Sequence, residues 1–230
     1  MEHPQKLSPR LLAVARQVRT GSVAADVGTD HGYLACYLAW NGCRKVYASD
    51  LNPGPLEQAA RTIQEHGLEK QVDLQLSNGV EKLPLEEITD VVVAGMGGDL
   101  ILSIVEDPRL RTFDKKLILQ PMTKPEVLRR GLYRLGFELC GETAVEDGRF
   151  VYTVLTAQYS GRPCEIDDCF AYTGLLSGRT REERKYLQRV CGLLRRKISG
   201  LQKAGTLPED SALERLLKQI EGKIQNDQDQ

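Results

Sequence analysis

The sequence predicts an α/β fold built on a doubly wound parallel sheet that ends in an antiparallel hairpin and is followed by a helical hairpin. Three observations predict it. Apolar runs rich in β-branched residues alternate with helical patterns through the first two-thirds of the chain, the mark of βαβ units and of a parallel sheet covered on both faces. Two further strand-like stretches then flank Glu146-Asp147-Gly148 with no helix between them. From about Thr180 onward only helical periodicity remains. The arrangement is Rossmann-like but departs from nicotinamide-type sheets, whose last strand stays parallel.

Taken in order, a short helix over 8–18 opens the fold, with Ser8 as N-cap and Pro9 at the first helical position. Strands are expected over 23–28 (VAADVG), 45–50 (KVYASD), 90–95 (DVVVAG) and 116–121 (KLILQP). A weaker one over 72–77 (VDLQLS) alternates apolar and polar residues and suits a place nearer an edge. Helical spacing fills 34–40, 55–66 and 127–135. The stretches 137–145 and 150–159 pair as a hairpin, because the Asp-Gly of their turn supplies the positive φ such turns need.

Beyond the hairpin, Leu187, Val190, Leu194, Ile198 and Leu201 share one helical stripe, and Leu213, Leu216, Leu217, Ile220 and Ile224 share another. Gly205 and Pro208 break the chain between them, so the two helices read as an antiparallel coiled-coil hairpin. The tail 225–230 is expected to fray. The chain thus divides into a sheet domain over 1–161 and a helical domain over 162–230.

Composition narrows the function. At 230 residues there is room for one full α/β domain and a small appendage. Thirty-one Lys+Arg against 32 Asp+Glu exclude a wholly basic nucleic-acid binder but leave room for a locally basic face. No apolar stretch approaches a membrane span, and the start MEHPQKLSPR is no signal peptide, so a cytoplasmic location is expected and no membrane partner. Cys36, Cys43, Cys140, Cys164, Cys169 and Cys191 form no CxxC pair, and only His3, His31 and His66 could join them. Free thiols and no metal centre are the expectation.

The segment Asp26-Val27-Gly28-Thr29-Asp30-His31-Gly32 lies where the first strand meets its helix, the ligand crevice of a doubly wound sheet. A dinucleotide site places G-x-G-x-x-G there so that backbone and helix N-terminus approach a pyrophosphate. Here Asp30 takes the middle glycine's place, and a carboxylate repels a pyrophosphate by several kcal/mol when partly desolvated. It favours a cation instead, and S-adenosyl-L-methionine carries a sulfonium and an ammonium and no phosphate. A plainer reading stands beside this one: Asp30 as N-cap of the helix.

The other strand ends fit the same cofactor. Asp50, with Leu51 beside it, closes the second strand, where an acid accepts hydrogen bonds from ribose hydroxyls; a solvated strand-end Asp is the alternative. Asn78-Gly79 follows the third strand and would lie beside the adenine ring. Gly95-Met96-Gly97-Gly98 follows the fourth, where glycines permit close backbone approach and Met96 a soft apolar contact, although a tight turn alone would use one or two of them. Gln120, before Pro121, puts an amide at the crevice rim.

These residues resemble the bacterial tRNA (adenine(22)-N(1))-methyltransferase family, through 7–12 (LSPRLL), 25–34 (ADVGTDHGYL), 94–98 (AGMGG), 117–121 (LILQP) and 146–148 (EDG). The resemblance implies a class I methyltransferase fold with a C-terminal coiled coil, S-adenosyl-L-methionine as cofactor, and methyl transfer to N1 of an adenine in tRNA. It implies cofactor contacts for Asp26, Gly28, Thr29, His31 and Gly32, and makes Asp30 the functionally required acid beside the reacting centre. Asp50 stands where similar proteins have an acid, often Glu, and Asn78 where some have Asp. Arg10 matches a basic position near the active-site mouth.

Charge placement supports a nucleic-acid substrate independently. Between Arg179 and Lys203 the chain carries Arg181, Arg184, Lys185, Arg189, Arg195, Arg196 and Lys197, opposed only by Glu182 and Glu183. A basic helical face tracks phosphates rather than bases, and Arg189, Arg195 and Arg196 are the candidate tRNA contacts; a solvated coiled-coil surface is the bland alternative. A same-fold methyltransferase acting on another substrate, and a tRNA-binding module with a vestigial pocket, are the rival functions.

Overall fold

The computed structural model describes residues 7–208 and 211–226; residues 1–6 and most of the tail expected to fray lie outside the described residues. One seven-stranded sheet runs in the order β3-β2-β1-β4-β5-β7-β6. Its strands are β1 (Val23–Val27), β2 (Lys45–Asp50), β3 (Val72–Leu76), β4 (Asp90–Gly97), β5 (Lys116–Thr123), β6 (Phe137–Asp147) and β7 (Phe150–Tyr159). The first five are parallel, whereas β7 lies antiparallel between β5 and β6. Gly148, at φ 60°, makes the turn that reverses the chain. The alternating strand β3 lies at one edge, as its pattern suggested.

Successive residues of the central strands face opposite layers. Val91, Val93, Leu117 and Leu119 pack with Ile101, Leu128 and Leu132, which belong to α4 (Gly98–Val105) and α5 (Pro125–Arg134). Val92 and Ile118 face the other way, onto Val14, Leu34, Leu38 and Ile63 of α1 (Pro9–Ala15), α2 (Tyr33–Trp40) and α3 (Pro53–Glu65). Ser8 caps α1, its Oγ accepting from Leu11 N at 3.4 Å.

The helical part comprises a short α6 (Asp168–Thr173), which the sequence reading did not anticipate, and the long α7 (Arg181–Lys203) and α8 (Ala212–Asn226). Leu187, Val190 and Leu194 of α7 do more than meet Leu216 and Ile220 of α8: they also cover Ala144 and Val151 of the β6–β7 hairpin. Each buried leucine contributes roughly 1.5–3 kcal/mol, so α7 is docked on the sheet domain. Beneath it Arg129 of α5 is fully buried. Its Nη2 donates to Glu142 Oε1 at 2.6 Å and to Tyr186 Oη at 3.0 Å, and its Nη1 to the Ala171 carbonyl at 2.6 Å. Burial opposes its charge, yet Glu142 and Tyr186 hold the guanidinium above its ordinary range. The expected boundary near Gly161 therefore places the partners of one buried network, Arg129 and Tyr186, on opposite sides.

Candidate functional site

The loop after β1 is pinned to β2. The Ser49 carbonyl accepts from both Gly28 N at 2.7 Å and Thr29 N at 2.9 Å. Gly28 sits at φ 81°, and a Cβ placed on it would lie 2.0 Å from Met96 Cε. The Met96 methyl thus rests directly on the glycine; that flexible end can shift, and it is the positive φ that favours glycine here. Helix α2 has Gly32 as its N-cap with no side-chain capping bond, so the reading of Asp30 as a cap is set aside. Its carboxylate is instead 76% exposed, 3.4 Å from His31 Nε2, and the His31 ring stacks on Tyr33 with centroids 5.3 Å apart.

Two cavities meet at Gly28, at the carboxyl ends of β1, β2 and β4. The first, about 360 Å³, is lined by Asp50, Leu51, Asn78, Gly79 and Met96. The second, about 370 Å³, is lined by Arg10, Asp26, Thr29, Asp30, His31, Gly32 and Gly95. Asp50 Oδ1 accepts from Asn52 N at 2.7 Å, and Asn78 Nδ2 donates to Glu81 Oε1 at 2.8 Å. Burial pushes the Asp26 carboxyl up to about 6, against hydrogen bonds from the Thr29 side chain and Ala35 backbone that favour its charge. A cavity holding Asp26 and Asp30 suits a cationic ligand and disfavours a phosphate.

Two residues stand elsewhere than expected. Gln120 is fully buried and not at the rim. Its Oε1 accepts from Arg10 Nη1 at 2.5 Å and Gly95 N at 3.1 Å, and its Nε2 donates to the Pro121 carbonyl at 2.9 Å. With its amide so occupied, Gln120 positions Arg10 and the Gly95 loop. Gly97 lines neither cavity; it pairs in register with Thr123. The Gly98 beside it is required by packing, since a Cβ there would lie 2.3 Å from the Lys124 carbonyl oxygen. The turn and this close approach account for glycines that the sequence reading gave to a ligand.

Arg10 is held from three sides. Besides Gln120 it has Asp147 Oδ2 3.8 Å from its Nε, and its guanidinium lies 6.0 Å from the centroid of the Tyr152 ring. Asp147 and Tyr152 were missed in the sequence, as were Ser77, Glu81, Leu100 and Ser103 of the first cavity. Of these Glu81 carries a sequence signal, three residues after Asn78, and Asp147 one as part of the EDG turn, though not as a partner of Arg10. Among the described residues no group of three or more His, Cys, Asp and Glu side chains could hold a metal ion, and no helix is long and apolar enough to cross a membrane. All six cysteines are unbridged.

The basic residues of α7 do not form one free face. Arg184 Nη1 donates to the Gly178 and Arg179 carbonyls, Lys185 pairs with Glu146 at 2.5 Å, and Arg195 pairs with Glu221 of α8 at 2.5 Å. Arg189 Nη1 donates to the Val151 carbonyl at 2.8 Å. Arg195 and Arg196 are exposed and line neither cavity.

Comparison with known proteins agrees with this geometry. A family profile described as "Methyltransferase domain" matches residues 7–155. The chain is 34% identical over 175 residues to the tRNA (adenine(22)-N(1))-methyltransferase of Bacillus subtilis, covering 75% of this chain and 74% of that one. The crystal structure of the B. subtilis M1A22 tRNA methyltransferase TrmK superposes with a TM-score of 0.78 at 26% identity, covering 97% of this chain and 98% of that one. The Streptococcus pneumoniae protein Sp1610, in complex with S-adenosyl-L-methionine, superposes with a TM-score of 0.81 at 25% identity, covering 95% of this chain and 100% of that one.

Proposed function

The chain belongs to the tRNA (adenine(22)-N(1))-methyltransferase family, and from that premise we propose that the two cavities meeting at Gly28 hold its S-adenosyl-L-methionine and that the crevice mouth beside Asp30 receives the target base. The activity is methyl transfer from S-adenosyl-L-methionine to N1 of adenine 22 of tRNA. The observation that carries the site assignment is the pair of acid-lined cavities joined at a glycine.

The residues fit the cofactor. Asp50 and Asn78 offer hydrogen-bond partners to a ribose and an adenine in the first cavity, and Asp26 faces a cationic amino-acid end in the second. Bound there, the cofactor supplies a methyl group on a sulfonium. Adenine N1 has an in-plane lone pair, so no residue has to remove a proton before attack. What the chain contributes is position and electrostatics. The adenine must leave its stack, and the stacked His31–Tyr33 pair at the mouth offers an aromatic face to an unstacked base. Asp30 beside it accepts from the exocyclic amine and stabilises the ring as it becomes cationic. Arg10, held by Gln120 and Asp147 at the edge of the second cavity, contacts the entering strand. On this reading the enzyme works in the cytoplasm on tRNA, with no metal and no obligate protein partner.

Asp30→Asn tests the electrostatic role. It keeps the hydrogen-bonding shape and removes the charge, so kcat should fall while tRNA affinity and cofactor affinity stay near wild type. Full activity with normal tRNA affinity would remove Asp30 from the chemistry.

A further inference from the structure

We propose that the groove between α7 and the start of α5 is a subsite for the tRNA strand next to the target adenine, taking phosphates on Lys124, Arg189 and Lys197 and one unstacked base on Leu193 and Tyr172. The proposal rests on the methyl-transfer reading above. The groove encloses about 460 Å³ and is lined by those five residues together with Glu126, its one carboxylate. Three cations against Glu126 in the lining and Asp99 on the rim leave a net positive groove, at the N-terminal end of a helix ten residues long, and so a site for an anion. Its floor is apolar. Leu193 is 45% exposed and lies off the buried stripe of Leu187, Val190 and Leu194, facing the groove instead. A cationic groove with apolar and aromatic contacts is how single-stranded nucleic acid is held without base reading.

Continuity with the crevice fixes which part of the tRNA reaches it. Thr123, at the end of β5, pairs with Gly97 in register, and Gly98 approaches the Lys124 carbonyl too closely to admit a Cβ. The groove wall therefore rests on the loop whose Gly95 and Met96 line the two cavities. Lys124 itself is the one described non-glycine residue at positive φ, at 53°, and it precedes Pro125. Such a conformation is sterically disfavoured, and residues held in it cluster at active sites and ligand clamps. Its Nζ pairs with Asp99 at 2.6 Å across the exposed rim, a surface pairing that phosphate can replace at little cost. Arg189 is held ready by the Val151 carbonyl.

Photo-crosslinking locates the strand. Benzoylphenylalanine in place of Leu193 should crosslink unmodified tRNA at nucleotides adjoining the methylated adenine, whereas the same group in place of Gln188, exposed on another face of α7, should not reach them. Absence of tRNA crosslinks from position 193, or crosslinks only to distant nucleotides, would overturn the subsite. In parallel, Leu193→Asp and Lys197→Gln should each weaken tRNA binding, by roughly tenfold for the lost stacking surface. Lys197→Gln should flatten the salt slope by about one. Calorimetric S-adenosyl-L-methionine affinity should be unchanged. Unchanged tRNA affinity and salt slope in both variants would overturn the subsite while wild-type methylation continues; failure of the wild-type protein to methylate tRNA would overturn the functional reading itself.

Discussion

Arg129 and Glu142 meet at 2.6 Å with neither side chain exposed to solvent. The pair joins α5 to β6, and through Tyr186 and the Ala171 carbonyl it reaches α7 and α6. Glu142 also accepts from Thr153 Oγ1 at 2.5 Å and Leu175 N at 3.0 Å. The helical hairpin is thus seated on the β6–β7 hairpin by a polar network as well as by leucines.

Arg129→Met should lower stability by about 3–5 kcal/mol, because Glu142 is left buried with no counter-charge. Adding Glu142→Leu should restore a large part of that loss, since the stranded charge goes too. Thermal or urea unfolding of the two variants measures both effects. Equal stability of single and double variants would mean the pair is not electrostatically coupled.

Gly28→Ala should weaken cofactor binding while the protein still folds. The substitution meets the Met96 methyl and forces a side chain into positive φ, the latter alone costing roughly 1–2 kcal/mol. Met96→Ala in the same chain removes the collision but not the backbone strain, so affinity should return in part. Calorimetry against S-adenosyl-L-methionine separates the two contributions.

Asp50→Ala should weaken cofactor binding by about 1–3 kcal/mol, the range for lost hydrogen bonds to a charged acceptor. Unchanged calorimetric affinity would take Asp50 out of the ribose site.

Asp26 gives the cofactor a pH dependence. Its carboxyl titrates at about 6 in the folded chain against an ordinary 3.8, so the folded state holds the proton more tightly. Its stabilising contribution is complete below 3.8 and is lost as pH rises through 6, a change of about 3 kcal/mol. A cationic ligand reverses the preference by favouring the carboxylate. Cofactor affinity should therefore rise from about pH 5 to pH 7 with proton release, seen as a buffer-dependent binding enthalpy. Asp26→Asn should remove that buffer dependence and gain stability at neutral pH.

Much of the fold was legible because its signals are local. Apolar runs rich in β-branched residues marked the central strands, alternation marked β3 and the hairpin, Asp147-Gly148 marked the reversal, and Ser8-Pro9 marked the first helix. The cavity residues at strand ends followed from the topology of a doubly wound sheet. What stayed hidden depends on partners far apart in sequence. Nothing near Gln120 says that Arg10 and Gly95 will bury its amide, and nothing near Gly98 says that Lys124 will crowd it. The basic run of α7 read as a single face because the carbonyls and acids that engage Arg184, Lys185 and Arg195 lie on other segments or are backbone groups. Helix α6 was missed because six residues are too few to show a period.

Methyl transfer from labelled S-adenosyl-L-methionine to unmodified tRNA, followed by nucleoside analysis, tests the central claim most directly. A matched tRNA with guanine in place of adenine 22 serves as control. The expected result is label in 1-methyladenosine from the normal tRNA and none from the control. Label in another nucleoside, or 1-methyladenosine formed equally in the control, would contradict it.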